Sequence, residues 1–261
     1  MRLGIVGTGL IVNTLFEFID EIDTIEINAI CSTVNSKDKM YYLAKEHHIK
    51  NCYTNYEDFL NDDSFDTVYV AIPNYLHYSY SYKALTYGKN VICEKPFTTN
   101  YRQALSLADL AIKNKLILLE AISNQYNDNL FKIKQLLPTL GNLKIVSFNF
   151  CQYSSRYDNF KKGIIQPVFD INKSGGSLMD LNVYNIHLAI ELFGMPEKVS
   201  YYPNIEKNID TSGILIMDYD NFKVSSIAAK DCGIPAINTI QGDNGYIYSD
   251  SPSNTLGAVK K

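Results

Sequence analysis

Apolar and polar positions follow two different rhythms along this chain. In the first half, short apolar runs alternate with stretches whose apolar residues recur at helical spacing. Leu3–Val6, Ile25–Cys31, Thr67–Ile72, Asn90–Cys93 and Leu116–Leu119 read as strands, with a further edge strand near Tyr53. Residues 10–19, 36–47, 56–60, 76–87 and 100–113 read as the helices between them. Gly88 closes one of these helices, and Asn100 with Gln103 gives another a capping box. Strict strand–helix alternation predicts a parallel sheet covered on both faces. After Glu120 the rhythm changes. A helix over 128–137 ends at Pro138 and Gly141, a strand follows over 143–150, and an irregular stretch leads to Gly175-Gly176. A long helix over 177–193 ends at Gly194. Strands then follow one another at 198–202, 212–218, 222–229, 237–242 and 246–248, which predicts a mostly antiparallel, open sheet. The fold class is therefore α/β with an appended α+β domain: residues 1–119 form a Rossmann-type unit and residues 120–261 the second domain.

Composition narrows the function. The 261 residues are 46% hydrophobic and 20% charged, with a formal net charge of -4. That suits a soluble globular protein and lacks the clustered basic charge of a nucleic-acid binder. No apolar run reaches the length of a membrane span. A strand pattern begins directly after Met1-Arg2, leaving no room for a signal peptide, so a cytoplasmic location is expected. Five cysteines, an odd number without paired spacing, point away from a disulfide framework and from a zinc site. No metal is expected.

The first chemical signal is Gly7-Thr8-Gly9-Leu10-Ile11, placed after a strand and opening a helix. That is the context of a dinucleotide-binding turn: Gly7 for the tight bend, Gly9 for close approach of a pyrophosphate, and the helix start for its charge. Val12 stands where the third glycine of the fingerprint is usual, and should push the helix slightly off the strand. A bare strand–helix turn that needs glycine for its backbone would look the same. At the end of the second strand, Ala29-Ile30-Cys31-Ser32-Thr33 has no acid to hold ribose hydroxyls. Ser32, Thr33 and Lys37 would instead suit a 2′-phosphate. This favours NADP, with NAD as the alternative; the lysines could also simply face water.

Two further stretches carry a family resemblance. Val70-Ala71-Ile72-Pro73-Asn74-Tyr75-Leu76-His77 and Asn90-Val91-Ile92-Cys93-Glu94-Lys95-Pro96 are similar, in order and spacing, to the proline-asparagine-x-x-histidine and glutamate-lysine-proline motifs of the Gfo/Idh/MocA oxidoreductases. Gly175-Gly176, followed by Asp180 and, four residues on, Tyr184, resembles the branch that includes dihydrodiol and pentose dehydrogenases. At ~100° per residue, Asp180, Tyr184 and His187 would share one helix face within about 60°.

The resemblance implies roles. Lys95 would point to the reacting carbon–oxygen bond and move its proton, Asp180 would orient Lys95 or the substrate, and Tyr184 would be a second donor. Ile72, Pro73, Asn74 and His77 would lie near the nicotinamide, although His77 could equally be only a helix-start residue. Glu94 would hold the cofactor ribose or the loop, and His187 and Asn124 would belong to the substrate pocket. The implied activity is hydride transfer between NAD(P) and a small molecule: a sugar, polyol or related hydroxy or keto compound. A NAD-dependent glycosidase of the same fold, or a non-catalytic dinucleotide sensor, are the alternatives. A homodimer through the free face of the second sheet and a cis Lys95-Pro96 bond are also expected. Departures are visible too. Asn182 replaces a usual glycine, His187 stands where polyol-oxidising members often have aspartate, and residues 120–127 lack the arginine and proline of many relatives. The chain also ends before the last strand and helix of relatives, so an incomplete second domain is expected.

Overall fold

The computed structural model describes residues 1–261, the side chain of Asp20 excepted. The chain divides into two compact units, Met1–Ala121 and Ile122–Lys261.

In the first unit the strands are β1 (Arg2–Val6), β2 (Glu26–Cys31), β3 (Asn51–Tyr53), β4 (Thr67–Val70), β5 (Asn90–Glu94) and β6 (Leu118–Ala121). They form one six-stranded parallel sheet in the order β3-β2-β1-β4-β5-β6. The helices are α1 (Leu10–Phe16), α2 (Lys37–Glu46), α3 (Tyr56–Leu60), α4 (His77–Thr86) and α5 (Tyr101–Asn114). Strand order reverses between β1 and β4, the switch point where open α/β sheets bind ligands. Alternation along β1 sends Leu3 and Ile5 to one core, with Phe16, Ile30 and Met40, and Val6 to the other, with Phe59, Val68, Leu85, Val91 and Leu107. Polar residues set the helix starts. Asn55 accepts from the amides of Glu57 and Asp58, and Asn100 from that of Gln103. The Gln103 carbonyl reaches back to Thr99 N and Oγ1, closing the expected box one residue early. The helix expected over 10–19 stops at Phe16; a 3₁₀ turn over Ile19–Glu21 then returns Ile19 to the core.

The second unit carries α6 (Asp128–Leu136), β7 (Leu143–Cys151), α7 (Tyr157–Lys161) and α8 (Val183–Phe193). Its remaining strands are β8 (Lys198–Glu206), β9 (Ile209–Asp218), β10 (Lys223–Ala229), β11 (Asn238–Gly242), β12 (Gly245–Ser249) and β13 (Val259–Lys260). They make an open seven-stranded sheet in the order β13-β12-β11-β7-β10-β9-β8. All neighbours are antiparallel except β7 and β10. One face is a core of Leu130, Ile133, Val146, Phe148, Leu188, Leu215, Met217, Val224, Ile240 and Ile247. The opposite face leaves Ile145, Tyr202, Ile214 and Tyr246 exposed. No helix among the described residues is long and apolar enough to cross a membrane.

Candidate active site

In the first unit, the carboxyl ends of β1, β4 and β5 carry the glycine turn, the Ile72-Pro73-Asn74 segment and Glu94-Lys95-Pro96. Gly7 has φ +118°, and a Cβ there would lie 2.1 Å from the Ala71 carbonyl oxygen. Only glycine fits. The tight bend thus serves close packing against the end of β4. Gly9 differs: a Cβ there would meet nothing within 4 Å. It is the N-cap of α1 and supplies no side-chain cap, so the helix start stays open. Thr8 is buried beside it, and Leu10 and Ile11 are exposed. Val12 is fully buried in the core with Ile5 and Phe16. The third glycine's place is taken by an ordinary core residue of a short helix.

Ser32 and Thr33 follow β2 directly, and Lys37 is the first residue of α2. Thr33 and Lys37 are exposed and Ser32 half-buried. The Ser32 hydroxyl donates to the Thr33 carbonyl at 3.2 Å, a turn contact that rotation of Oγ would release. Asp38, also in the first turn of α2, is the nearest acid in sequence.

His77, expected either near a nicotinamide or only as a helix-start residue, is the first residue of α4. It is fully buried, and both ring nitrogens face backbone carbonyls, Nδ1 to Pro96 at 2.9 Å and Nε2 to Ile72 at 2.8 Å. No polar atom of the ring remains for a cofactor; the side chain staples the loop after β4 to the loop after β5. Burial lowers its pKa, and the field of Lys95 adds to that, against the raising effect of the two carbonyls and Glu120. Lys95 is half-buried at the end of β5, and the Lys95–Pro96 bond is cis as expected. Glu94 turns inward and accepts from the Tyr69 hydroxyl at 2.5 Å. Burial raises its carboxyl pKa. Glu120 accepts from the Phe97 amide at 2.9 Å, holding the loop behind Lys95. Glu120 therefore anchors the lysine-bearing turn, and Glu94 is held beneath it by Tyr69.

In the second unit the Gly175-Gly176 turn is a packing device. A Cβ on Gly175 would lie 2.7 Å from the Pro167 carbonyl, and one on Gly176, at φ +103°, 2.0 Å from Oδ1 of Asp210. Asp210 in turn accepts from the Leu178 amide and the Tyr201 hydroxyl, each at 2.7 Å. The long helix expected over 177–193 begins with a π turn over Leu178–Asn182. The constant 100° step therefore holds for Tyr184 and His187, which lie in α8, and not for Asp180. The direction of Asp180 is fixed by an ion pair with Lys230 at 2.7 Å. Asn182, the departure from glycine, is fully buried: Oδ1 accepts from Ser226 at 2.5 Å and from Asn185 at 2.8 Å. A glycine would leave that pocket empty and Ser226 without this acceptor. Tyr184 packs edge-on against Phe150, with ring centroids 5.6 Å apart. Asn124 is the other residue expected in a substrate pocket. It has no exposed surface, and Nδ2 donates to the carbonyls of Tyr184 and Ser253 at 2.8 and 3.2 Å. It ties the start of α8 to the C-terminal segment. Burial pushes the thiols of Cys31 and Cys93 up to about 12, which leaves them inert.

Residues 1–121 match the family model described as an oxidoreductase family with an NAD-binding Rossmann fold. The chain is 32% identical, over 253 residues, to scyllo-inositol 2-dehydrogenase (NADP(+)) IolU of Bacillus subtilis, spanning 96% of this chain and 76% of that protein. It belongs to the Gfo/Idh/MocA oxidoreductase family. Mouse trans-1,2-dihydrobenzene-1,2-diol dehydrogenase, another relative, is 25% identical over 84% of this chain and 65% of its own length. Among solved structures, the WlbA dehydrogenase of Bordetella pertussis, in complex with NADH and UDP-GlcNAcA, superposes with a TM-score of 0.87. It covers 100% of this chain and 76% of its own at 18% identity, a likeness of fold. Family membership makes the chain an oxidoreductase with a nicotinamide-dinucleotide Rossmann unit. The open helix start at Gly9, beside the switch between β1 and β4, fits that group.

Proposed function

We propose that this Gfo/Idh/MocA protein is an NADP-dependent dehydrogenase or reductase acting on a sugar, polyol or related hydroxy or keto compound. The observation that carries the reading is Lys95, held at the carboxyl end of β5 by a loop that Glu120 and His77 fix, in a chain 32% identical to an NADP(+)-linked inositol dehydrogenase. When bound, the dinucleotide accepts or supplies the hydride. Gly7 and Gly9 let the backbone approach its phosphates, and Ser32, Thr33 and Lys37 hold the 2′-phosphate. Asn74, with the backbone of Ile72 and Pro73, borders the nicotinamide. Lys95 takes the hydroxyl proton as an alcohol becomes a carbonyl, and returns it to the oxygen in the reverse direction. Asp180 orients the reacting group and Tyr184 is a second donor at the same oxygen. His187, one turn further along α8, contacts substrate hydroxyls. The proposal extends to a cytoplasmic homodimer; five free thiols suit a reducing compartment.

A screen of inositols, sugars and their keto forms with NADP(H), followed by nicotinamide absorbance, tests the reading. Lys95→Met should leave NADPH affinity nearly unchanged and lower kcat by about 10²–10⁴-fold, the range for a proton-transfer group. Turnover by the mutant at the wild-type rate would remove Lys95 from the mechanism.

A further inference from the structure

Sequence motifs single out Asp180, and none singles out Lys230. In the second unit Nζ of Lys230 lies 2.7 Å from Oδ2 of Asp180. Lys230 is only 2% exposed. Lysine is almost never buried to that degree without a partner, and burying an ammonium is costly unless it is both paired and hydrogen-bonded. Two further contacts share the load. The ammonium donates to the Val168 carbonyl at 2.7 Å and sits 4.5 Å from the centroid of the Phe169 ring. The same Val168 carbonyl accepts from the Gly176 amide at 3.1 Å, so the loop before the glycine turn is fixed from two sides.

The backbone explains why a lysine stands there. Lys230 follows β10 directly, and its amide still donates to Thr211 at 2.7 Å, continuing the ladder. It extends the inward-facing series Val224, Ser226 and Ala228, at a position where the strand pattern calls for an apolar residue. That series runs beneath the π turn. Ser226 bonds Asn182, Ala228 packs with Leu181 and Phe150, and Lys230 pairs with Asp180. One strand therefore grips the turn at three successive inward positions, and the last grip is a charge placed on the carboxylate.

We propose that Lys230 is a positioning residue that holds the Asp180 carboxylate ionised and in one orientation for the reaction proposed above, on which this inference rests. With 2% exposure its ammonium does not reach substrate; it acts through Asp180.

The test is a double-mutant cycle. Lys230→Met keeps the unbranched stem and removes the charge. It should lower kcat by about 10²-fold, the scale of a small misplacement of a reacting group. NADPH affinity by fluorescence titration, a property of the first unit, should stay within about twofold. Added to Asp180→Asn, Lys230→Met should cause no further loss of kcat, because the group it positions is already altered. Lys230→Ala should regain turnover with added propylammonium and not with propanol, which a purely space-filling role would not distinguish. If Lys230→Met alone fails to fold, Asp180→Asn and the double variant still read the coupling, since removing both partners is milder than breaking one buried pair. Wild-type kcat in Lys230→Met, or losses that multiply in the double variant, would overturn the assignment. An inactive wild-type enzyme overturns the functional reading as well, whereas an active wild type with an equally active Lys230→Met overturns Lys230 alone.

Discussion

Gly7 and Gly9 stand two residues apart and answer to different constraints. Gly7 is demanded by the protein itself, through a positive φ and the Ala71 carbonyl. Gly9 is demanded by nothing in the chain, since a Cβ there meets open space. A glycine without an internal reason, at an uncapped helix start, leaves room for the approach of phosphates that the proposed function requires. In the proposed function the neighbouring corner would set which dinucleotide binds. No acid occupies residues 29–33, and Thr33 and Lys37 are exposed where a 2′-phosphate would sit. A charge-assisted hydrogen bond is worth about 1.5–3 kcal/mol when well formed, and exposure lowers this. NADPH is therefore expected to bind about tenfold more tightly than NADH, roughly 1.4 kcal/mol. Lys37→Ala should narrow the gap by weakening NADPH and sparing NADH, as read by paired titrations at low and moderate salt. Equal wild-type affinities would mean that the lysine only faces water. The position of the glycine turn after β1 and of Lys95 after β5 was legible in the sequence because local spacing encodes it. The burial of Asn124 was not legible, because the carbonyls that hold it belong to Tyr184 and Ser253, far away in sequence; His77 does open a helix, one of its two readings, and its carbonyl partners lie in the loops after β4 and β5. Lys230 was missed because nothing nearby in the chain announces that its partner is fifty residues upstream.

At the scale of elements, strand and helix order followed from hydrophobic period, and the ends were set by side chains the period does not weigh. Asn100, Gln103 and Gly88 were readable as punctuation. The π turn at Leu178–Asn182 was not. Its apolar pattern is compatible with an α-helix, and the widening comes with long-range anchors at Asp210, Ser226 and Lys230. β13, two residues long, carries too little pattern to be seen. His77 shows how one side chain can couple two elements. Its ring lies between the carbonyls of Ile72 and Pro96, the neutral form donating its single N–H to one of them, and burial lowers its pKa from 6.5. An unfolded chain takes up that proton at a higher pH than the native one. Stability from the neutral, buried ring is therefore complete above the unfolded pKa and declines as pH falls through 6.5 toward the lowered native value. His77→Gln, which can still donate to one carbonyl, should be less stable at neutral pH. Its deficit in melting temperature should shrink between about pH 7 and pH 5. A deficit independent of pH would show that the ring does not titrate with folding.

On the scale of the whole molecule, the seven-stranded sheet is packed on one side only. Cross-strand registers align Tyr202, Ile214 and Ile227 in one row of the other side, and Ser200, Ile216, Ser225, Ser147 and Thr239 in the next. Tyr202 is 63% and Ile214 42% exposed. A nearly charge-free band of isoleucine, tyrosine and small hydroxyls across several strands is too extensive an apolar surface for water to face without consequence. A second copy of the same face would cover it with matching chemistry, and a two-fold pairing would close on itself without leaving a further surface open. Charged residues lie in the adjoining row, where Lys198, Asp218 and Lys223 alternate in sign and would surround rather than occupy the contact. The wild-type protein is therefore expected to be a dimer at micromolar concentration by light scattering. Ile214→Asp would set two like charges into the dimer contact, where desolvation and repulsion act together, and should yield monomers. Because the substitution lies on the open face of the second unit, NADPH affinity should be retained, which separates loss of pairing from loss of fold. A monomeric wild type, or a dimer that survives Ile214→Asp, would mean that this face meets something other than its own copy.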